Sequence, residues 1–233
     1  MSIWSHISKL LKALKIGETL SVIFNRLETT PEKRIGFTIA AIALSAKMAK
    51  ADGIVTSQEK LAFKKIFTIL PRDEKHVKYV FELAQKDIAG YEIYAKKISK
   101  MLKNKPKLLE NLIEGLLYIS ISDKVFHPKE EHFINEVAKI FKISEQKLEI
   151  LKARYIPVLQ HNPYLVLGLN PDSELKDIKK QWQKLVHESH PDNIIAQGLP
   201  QEAINLATSR LIAINEAWQK INQHITKQKI IEI

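Results

Sequence analysis

The sequence has 233 residues, 45% of them hydrophobic, with 36 Lys+Arg against 26 Asp+Glu and a formal net charge of +10. This length and apolar content are enough for one large domain or two smaller ones. The absence of cysteine excludes a disulfide scaffold, a cysteine-ligated metal centre and a thiol nucleophile. The charge excess leaves three classes of partner open, namely nucleic acid, an anionic membrane and an acidic protein.

The charge excess lies in the first two thirds of the chain. Residues 1–160 hold 28 basic and 18 acidic side chains, whereas residues 161–233 hold 8 of each. An asymmetry of this size indicates two modules with different surroundings.

The N-terminal segment, residues 1–29, has an amphipathic pattern in which apolar residues recur at helical spacing with lysines between them. One interpretation is an interfacial helix on anionic lipid. The other, which we favour, is a helix that packs on its own domain. No apolar stretch has the length of a membrane span or the form of a secretory signal. We therefore expect a cytoplasmic chain, with peripheral attachment to the inner membrane as the alternative.

The hydrophobic pattern has the 3.6-residue period of helices along nearly the whole chain and no convincing strand, so it predicts an all-α protein. Asn162 and Gly168 bound a short helix by their capping preferences. The longer predicted helices cover residues 3–14, 18–27, 32–51, 57–70, 74–88, 91–103, 107–121, 128–141, 144–153, 173–188 and 201–226.

A degenerate two-fold repeat with an offset of 71 residues organises the first 150 residues. In each copy an apolar helix ends in an aspartate, a turn follows, and a glutamate lies in the first turn of the next helix. The two pairs are Asp52 with Glu59 and Asp123 with Glu130.

Two interpretations of these four carboxylates remain open. They could converge and bind a divalent cation through oxygen ligands. In the interpretation that we favour the glutamates stabilise helix ends, because Thr56 and Glu59 have the spacing of a capping box and Pro128 suits a first helical turn. The aspartates, Asp52 and Asp123, then hold the turns between the helices. We therefore predict no metal site and no cofactor.

This repeat of helix, aspartate, turn, glutamate and helix resembles the TerB family of tellurite-resistance-like domains over residues 30–153. The resemblance implies a helical bundle. The same module contains six lysines between residues 96 and 107. Because no arginine or aromatic side chain is interleaved with them to hold bases, the pattern argues against nucleic-acid binding.

The residues after 162 predict an antiparallel helical hairpin. Its first long helix must end near Ser189, because the residue before a proline is pushed out of the α region. A loop from His190 to Pro200 follows, with His190, Pro191 and Asp192 at its tip. The apolar residues of the last helix then alternate at spacings of three and four. The first long helix also carries four lysines, Lys176, Lys179, Lys180 and Lys184.

A short helix with Tyr164, Leu167 and Gly168, a basic helix, His-Pro-Asp and a helix containing Asn-Glu-Ala-Trp together resemble a J domain. The order of a TerB-like module and a J domain is that of the DjlA-type co-chaperones, to which residues 184–200 are especially similar. The resemblance implies a protein that is not itself an enzyme but recruits a DnaK-type chaperone and stimulates its ATP hydrolysis.

In this resemblance the tripeptide binds the partner. Pro191 stiffens the loop, Asp192 offers a carboxylate to a partner arginine, and His190 supplies hydrogen bonds that hold the loop. The four lysines steer the domain toward an acidic face of the partner. The chain departs from the family at Gln183, where an arginine is common, and at Asn193, where a lysine is common. Both departures weaken the expected charge attraction.

The predicted domains are an amphipathic segment (1–29), a TerB-like domain (30–153), a linker (154–161) and a J domain (162–233). We expect the TerB-like domain to set the location or the client, through an acidic protein or an anionic membrane surface that binds residues 1–160. The alternative function is a helical scaffold that binds metal or an anionic surface and carries a vestigial J domain.

Overall fold

The computed structural model describes residues 7, 33–52, 56–67, 69, 71–86, 90–156, 159, 162–196 and 201–231. These residues form helices and connections without a strand, which confirms the predicted all-α fold. The chain divides into two compact units, residues 1–143 with 200–202, and residues 144–199 with 203–233. The predicted helix 18–27 lies outside the described residues. Of the predicted helix 3–14 only Ile7 is described, and it is helical and fully buried.

Six α-helices and one 3₁₀ turn are described in the first unit. The 3₁₀ turn is Pro71–Asp73. The helices are α1 (Lys33–Asp52), α2 (Ser57–Phe67), α3 (Glu74–Lys86), α4 (Tyr91–Met101), α5 (Pro106–Ser120) and α6 (Pro128–Ile140).

Helix α1 is the central element of the first unit, since it contacts α3, α4, α5 and α6. Residues 35–49 are buried except for the half-buried Ala41, which explains why this helix is apolar on all sides. Lys47 is also buried, and its ammonium lies 4.7 Å from the centre of the Tyr94 ring. This cation–π contact compensates part of the cost of removing the lysine from water.

The second unit contains five helices among its described residues. They are α7 (Glu145–Tyr155), α8 (Pro163–Leu167), α9 (Leu175–Ser189), α10 (Pro191–Ala196) and, from Ala203 onward, α11 (Gln201–Ile231). One side of α9 packs through Ile178 into a core that includes Val166 and Leu167 of α8 and Ile214 and Ile221 of α11. Helices α9 and α11 therefore pack together as the predicted hairpin, and α8 contributes to the same core.

Helix α7 belongs to the second unit by its packing, although the sequence pattern groups it with the first. Arg154 is buried and its Nε donates to the carbonyl oxygen of Val166 at 3.4 Å. Gly168 ends α8 with φ +72°, and a Cβ there would lie 3.0 Å from Cδ1 of Ile150. The compact units thus divide between residues 143 and 144, ahead of the predicted linker 154–161.

The prediction of a loop from His190 to Pro200 is wrong for residues 191–196, which form α10. The carbonyl of His190 accepts hydrogen bonds from the N–H groups of Asn193 and Ile194, which starts the helix at Pro191. Proline suits this first position because the missing N–H would have no helical partner there. Ile194 is buried and packs against Ala203 and Ala207 of α11, so tertiary contact stabilises a helix too short to be stable alone.

Candidate functional site

The tripeptide His190, Pro191 and Asp192 forms the junction between α9 and α10. Helix α9 ends at Ser189, which is buried, and His190 then adopts an extended conformation with φ −65° and ψ 132°. This is the conformation that a residue before proline prefers. The side chains of His190 and Asp192 are 51% and 85% exposed. The structure therefore brings the predicted partner-binding tripeptide together at a surface, on a backbone fixed by helices on both sides.

Hydrogen bonds within the junction hold its shape. The backbone N–H of Asp192 donates to Nδ1 of His190 at 3.3 Å. This bond requires an unprotonated Nδ1, so the neutral imidazole carries its proton on Nε2. The distance of 3.6 Å from Nδ1 to Oδ2 of Asp192 is too long for a strong hydrogen bond and becomes an ion pair only if the ring is protonated.

Asn193 supplies a further bond that sequence reasoning missed. Its side-chain amide donates to the carbonyl oxygen of His187, in the last turn of α9. The carbonyl groups of a final helical turn lack partners within their own helix. Asn193 therefore ties the end of α9 to the start of α10, directly across the tripeptide. The departure from the family's usual lysine marked this position but did not indicate a capping role.

A surface groove of about 450 Å³ adjoins the tripeptide. It lies along the last two turns of α9 and the start of α10. Its lining combines apolar and polar side chains, Trp182, Gln183, Val186, His187, His190, Asp192 and Asn193. A partner segment that contacts Asp192 would therefore also meet α9.

All four predicted lysines, Lys176, Lys179, Lys180 and Lys184, are exposed on α9. The opposite side of this helix is fixed by Trp182, which stacks on Trp218 of α11 with ring centres 4.9 Å apart and planes 11° apart. Nε1 of Trp182 also donates to Oδ1 of Asn215 at 2.9 Å. The sequence pattern did not predict this stacking. The lysines thus project from a helix that cannot easily rotate.

The candidate metal ligands Glu59 and Glu130 are used as helix caps. Oε2 of Glu59 accepts the N–H of Thr56 at 2.6 Å, and Oγ1 of Thr56 accepts the N–H of Glu59 at 3.1 Å, which confirms the predicted capping box. Oε2 of Glu130 accepts the N–H of His127 at 3.2 Å at the equivalent place in the second copy. Both glutamates are buried, so the repeat conserves a capping arrangement rather than an open cluster of ligands.

The aspartate of the second copy stabilises its turn, as predicted. Oδ1 of Asp123 accepts the N–H of Val125 at 3.0 Å, across Lys124 with φ +68°. This is the local bond by which aspartate favours turns. The side chain of Asp52 lies outside the described residues. Within the described part of the chain, no three His, Asp or Glu side chains come together as a metal site.

Family models match both parts of the chain. Residues 38–153 match the TerB family, described as Tellurite resistance protein TerB, and residues 162–229 match the DnaJ domain. The chain carries a J domain. Its two domains follow one another in the predicted order, and α10 and the tripeptide lie within the DnaJ match.

Relatives named Co-chaperone protein DjlA match most of the chain. The relative from Vibrio parahaemolyticus is 21% identical over 86% of this chain and 82% of its own length. The relative from Aliivibrio fischeri is 24% identical over 82% of this chain and 80% of its own length. The one from Escherichia coli K12 is 38% identical over 58 residues, which are 25% of this chain and 21% of that protein. The predicted DjlA-type J-domain co-chaperone is confirmed.

No solved structure matches the chain significantly. In the described ranges, none of the helices combines the length and the apolar character needed to cross a lipid bilayer.

Proposed function

We propose that this J-domain protein recruits a DnaK-type chaperone and stimulates its ATP hydrolysis through the tripeptide His190, Pro191 and Asp192. The observation that carries the proposal is the exposed junction between α9 and α10, whose tripeptide is held from both sides and adjoins a groove. None of the three side chains can break a phosphoanhydride bond from the surface of a partner. The chain therefore acts as an activator, and the chemistry belongs to the DnaK-type ATPase.

Preorganisation of the junction supports this role. Pro191 fixes one backbone angle, and the bonds made by His190 and Asn193 fix the backbone around it. A loop that is already ordered loses less conformational entropy when a partner binds it. More of the contact free energy then remains available to favour the hydrolysis-competent state of the partner.

Asp192 is the group that we assign to direct recognition. Its carboxylate is 85% exposed and its backbone N–H is already satisfied by His190. An exposed carboxylate on a fixed backbone suits a bidentate pair with an arginine, whose five donors match the two oxygens. His190 positions Asp192 through Nδ1, which leaves its Nε2–H free to donate to the partner.

The lysines on α9 supply the long-range part of the interaction. Lys176, Lys180 and Lys184 recur every four residues, so they lie along one face of the helix. Residues 161–233 have as many acidic as basic side chains, and the positive charge of α9 is therefore local. Such a patch raises the association rate with an acidic partner surface and makes that rate dependent on salt.

For the TerB-like domain we keep the predicted role of setting the location or the client. The support is its charge, since the net excess of +10 lies entirely in residues 1–160. An acidic protein or an anionic membrane surface suits this charge. Cytoplasmic residence and peripheral attachment to the inner membrane stay predictions. Metal binding is less favoured, because Glu59 and Glu130 are engaged as caps.

The test is the steady-state ATPase rate of a DnaK-type chaperone from the same organism, measured with the full chain. We expect the chain to accelerate turnover and His190→Gln to abolish the acceleration, because glutamine cannot reproduce the bond at Nδ1. His132→Gln is the matched control, an exposed histidine on α6 of the first unit. Loss of acceleration in both variants, or retention in both, would contradict the assignment to the tripeptide.

A further inference from the structure

The first unit contains a cavity of about 570 Å³ that opens to the surface. Its walls come from α1, α2, α3 and α5, with Ile69 between α2 and the 3₁₀ turn. Cavities that bind small molecules have volumes of roughly 300–1,000 Å³. Of the repeated carboxylates, Glu59 is among the lining residues of the cavity. The proposed chaperone function does not require the cavity.

The interior of the cavity is apolar. Met48 from α1, Phe63 from α2 and Val77 from α3 are all buried side chains of its wall. Phe81 adds a ring that meets Phe63 edge-on at 6.1 Å between centres. A wall of aromatic, methionine and β-branched side chains adapts well to a flexible hydrocarbon chain.

Two polar side chains of the wall, Ser45 and Glu59, already have partners. Oγ of Ser45 donates to the carbonyl of Ala41 at 2.8 Å, and the carboxylate of Glu59 accepts the N–H of Thr56. Ordered water needs two to four polar partners, and most of the surface that lines the cavity is apolar. The interior therefore favours an apolar occupant over water.

The rim of the cavity is basic. Lys60 and Lys64 come from α2, and Lys75 and Lys78 come from α3. Lys64 is paired with Glu74 at 2.8 Å, and Lys78 lies 3.8 Å from Glu82. Lys60 and Lys75 are exposed and make no ion pair with any residue that the structure describes. An anionic group at the rim would thus meet two ammonium groups without having to displace an existing carboxylate.

We propose that this cavity binds a single-chain amphipathic anion, with the hydrocarbon chain among Met48, Phe63 and Phe81 and the anionic head between Lys60 and Lys75. The interior selects an apolar chain, and the rim selects the sign of the head group. A fatty acid and a lysophospholipid with a phosphate head share this chemistry. The site is additional to the proposed chaperone function, and its test does not involve DnaK.

The test is equilibrium dialysis of the full chain against radiolabelled palmitate below its micelle-forming concentration. We expect saturable binding with one palmitate per chain. The affinities for neutral hexadecanol and cationic hexadecyltrimethylammonium should be lower than that for palmitate by about tenfold or more, because only an anion is attracted by the lysines of the rim. Affinity should rise by about fourfold per methylene from laurate upward until the cavity is filled. Lysophosphatidate in a parallel series shows whether carboxylate or phosphate is the better head.

Two kinds of variant test the placement of the ligand. The double change Lys60→Glu with Lys75→Glu should lower palmitate affinity by about tenfold or more. Its matched control, Lys96→Glu with Lys129→Glu, changes the net charge equally at exposed positions away from the cavity wall and should leave affinity within about twofold. Ala49→Phe places a ring in the cavity and should abolish binding. If that variant does not fold, the comparison of the two charge-reversed double variants still tests the proposal.

The proposal is overturned by any of four results. These are no saturable binding of palmitate, equal affinity for hexadecanol, equal effects of the two charge-reversed variants, and displacement of palmitate by a neutral amphipathic peptide of higher affinity. Binding only to phosphatidylglycerol vesicles, with none to monomeric palmitate, would also contradict the proposal. It would show that the protein is attracted to an anionic membrane surface and does not bind a lipid in the cavity.

Discussion

Carboxylates in the two units differ in how far their side chains are exposed to solvent. Asp192 in the J domain has a side chain that is 85% exposed, whereas Glu130 in the TerB-like domain is 1% exposed and caps α6. Glu59, the counterpart of Glu130, makes the same cap on α2. The glutamate that repeats in the sequence therefore caps a helix in both copies. Asp192, beside a proline, is left exposed, and it is the residue that we propose for partner contact.

This difference separates structural from functional residues in one chain. A capping glutamate acts within its own helix turn, so a duplicated helix pair needs it twice. A recognition group acts on another molecule, and its surroundings are arranged to leave it accessible. Substitutions on either side of this comparison should therefore differ in their effect on the stimulation of DnaK.

After His190→Gln, Asp192→Asn has the largest expected effect. It keeps the shape and the backbone of the junction but removes the charge that a partner arginine would pair with. Stimulation should fall by about thirtyfold or more at subsaturating concentration, the range observed when one partner of a buried charge pair is removed. Dissociation constants for ATP-bound DnaK measure this effect. The matched control is Asp177→Asn, an exposed aspartate on α9 outside the groove.

Lys180→Glu with Lys184→Glu should lower the association rate by about tenfold at low salt, and the difference should shrink as ionic strength rises. The dissociation rate should change little, because the lysines act before contact. Stopped-flow association with ATP-bound DnaK measures both rates. Lys220→Glu, an exposed change on α11, is the control. An equal loss at all salt concentrations would show that the lysines make direct contacts instead.

Asn193→Ala should lower stimulation by about fivefold, the effect of one hydrogen bond of about 1 kcal/mol that holds the junction. The expected loss is smaller than for Asp192→Asn because we assign Asn193 to positioning the tripeptide and Asp192 to the contact with the partner. Hydrogen exchange of the backbone N–H of Asp192 should accelerate in the variant. Unchanged exchange together with reduced stimulation would instead make Asn193 a contact residue.

Glu59→Ala and Glu130→Ala should leave stimulation unchanged. Each should destabilise the protein by about 1 kcal/mol through the loss of a capping box. This corresponds to a fall in melting temperature of roughly 2–4 °C for a chain of this size. Calcium or manganese should not shift the melting temperature of the unmodified protein. A cation-induced rise in melting temperature that either substitution removes would support the metal interpretation. The repeated glutamates would then bind a ligand, as we propose for Asp192.

Much of the fold follows from the sequence because helices depend on local periodicity. The bounds of α6, Pro128–Ile140, differ from the predicted 128–141 by one residue, since a proline marks its start. The predicted helix 57–70 is too long, and α2 ends at Phe67. Helix α10 was missed altogether. Its six residues carry too little pattern, and burial of Ile194 against α11 stabilises it.

The tripeptide was predictable because its three residues are adjacent and unusual in their context. Other features depend on contacts between distant segments, which periodicity does not report. Helix α7 has the pattern of any amphipathic helix, and only its contacts, the bond from Arg154 to Val166 and the approach of Ile150 to Gly168, show which unit it joins. The cavity in the first unit could not be predicted for the same reason. A hydrophobic pattern shows which helical faces are buried but not whether those faces leave space between them.

The most direct test of the account is single-turnover hydrolysis of ATP by a preformed DnaK–ATP complex, with increasing concentrations of the full chain. The account predicts that the hydrolysis rate rises and saturates, that the half-saturating concentration increases with salt, and that His190→Gln leaves the basal rate. A flat rate at every concentration of correctly folded protein, or the same rise with His190→Gln, would contradict it.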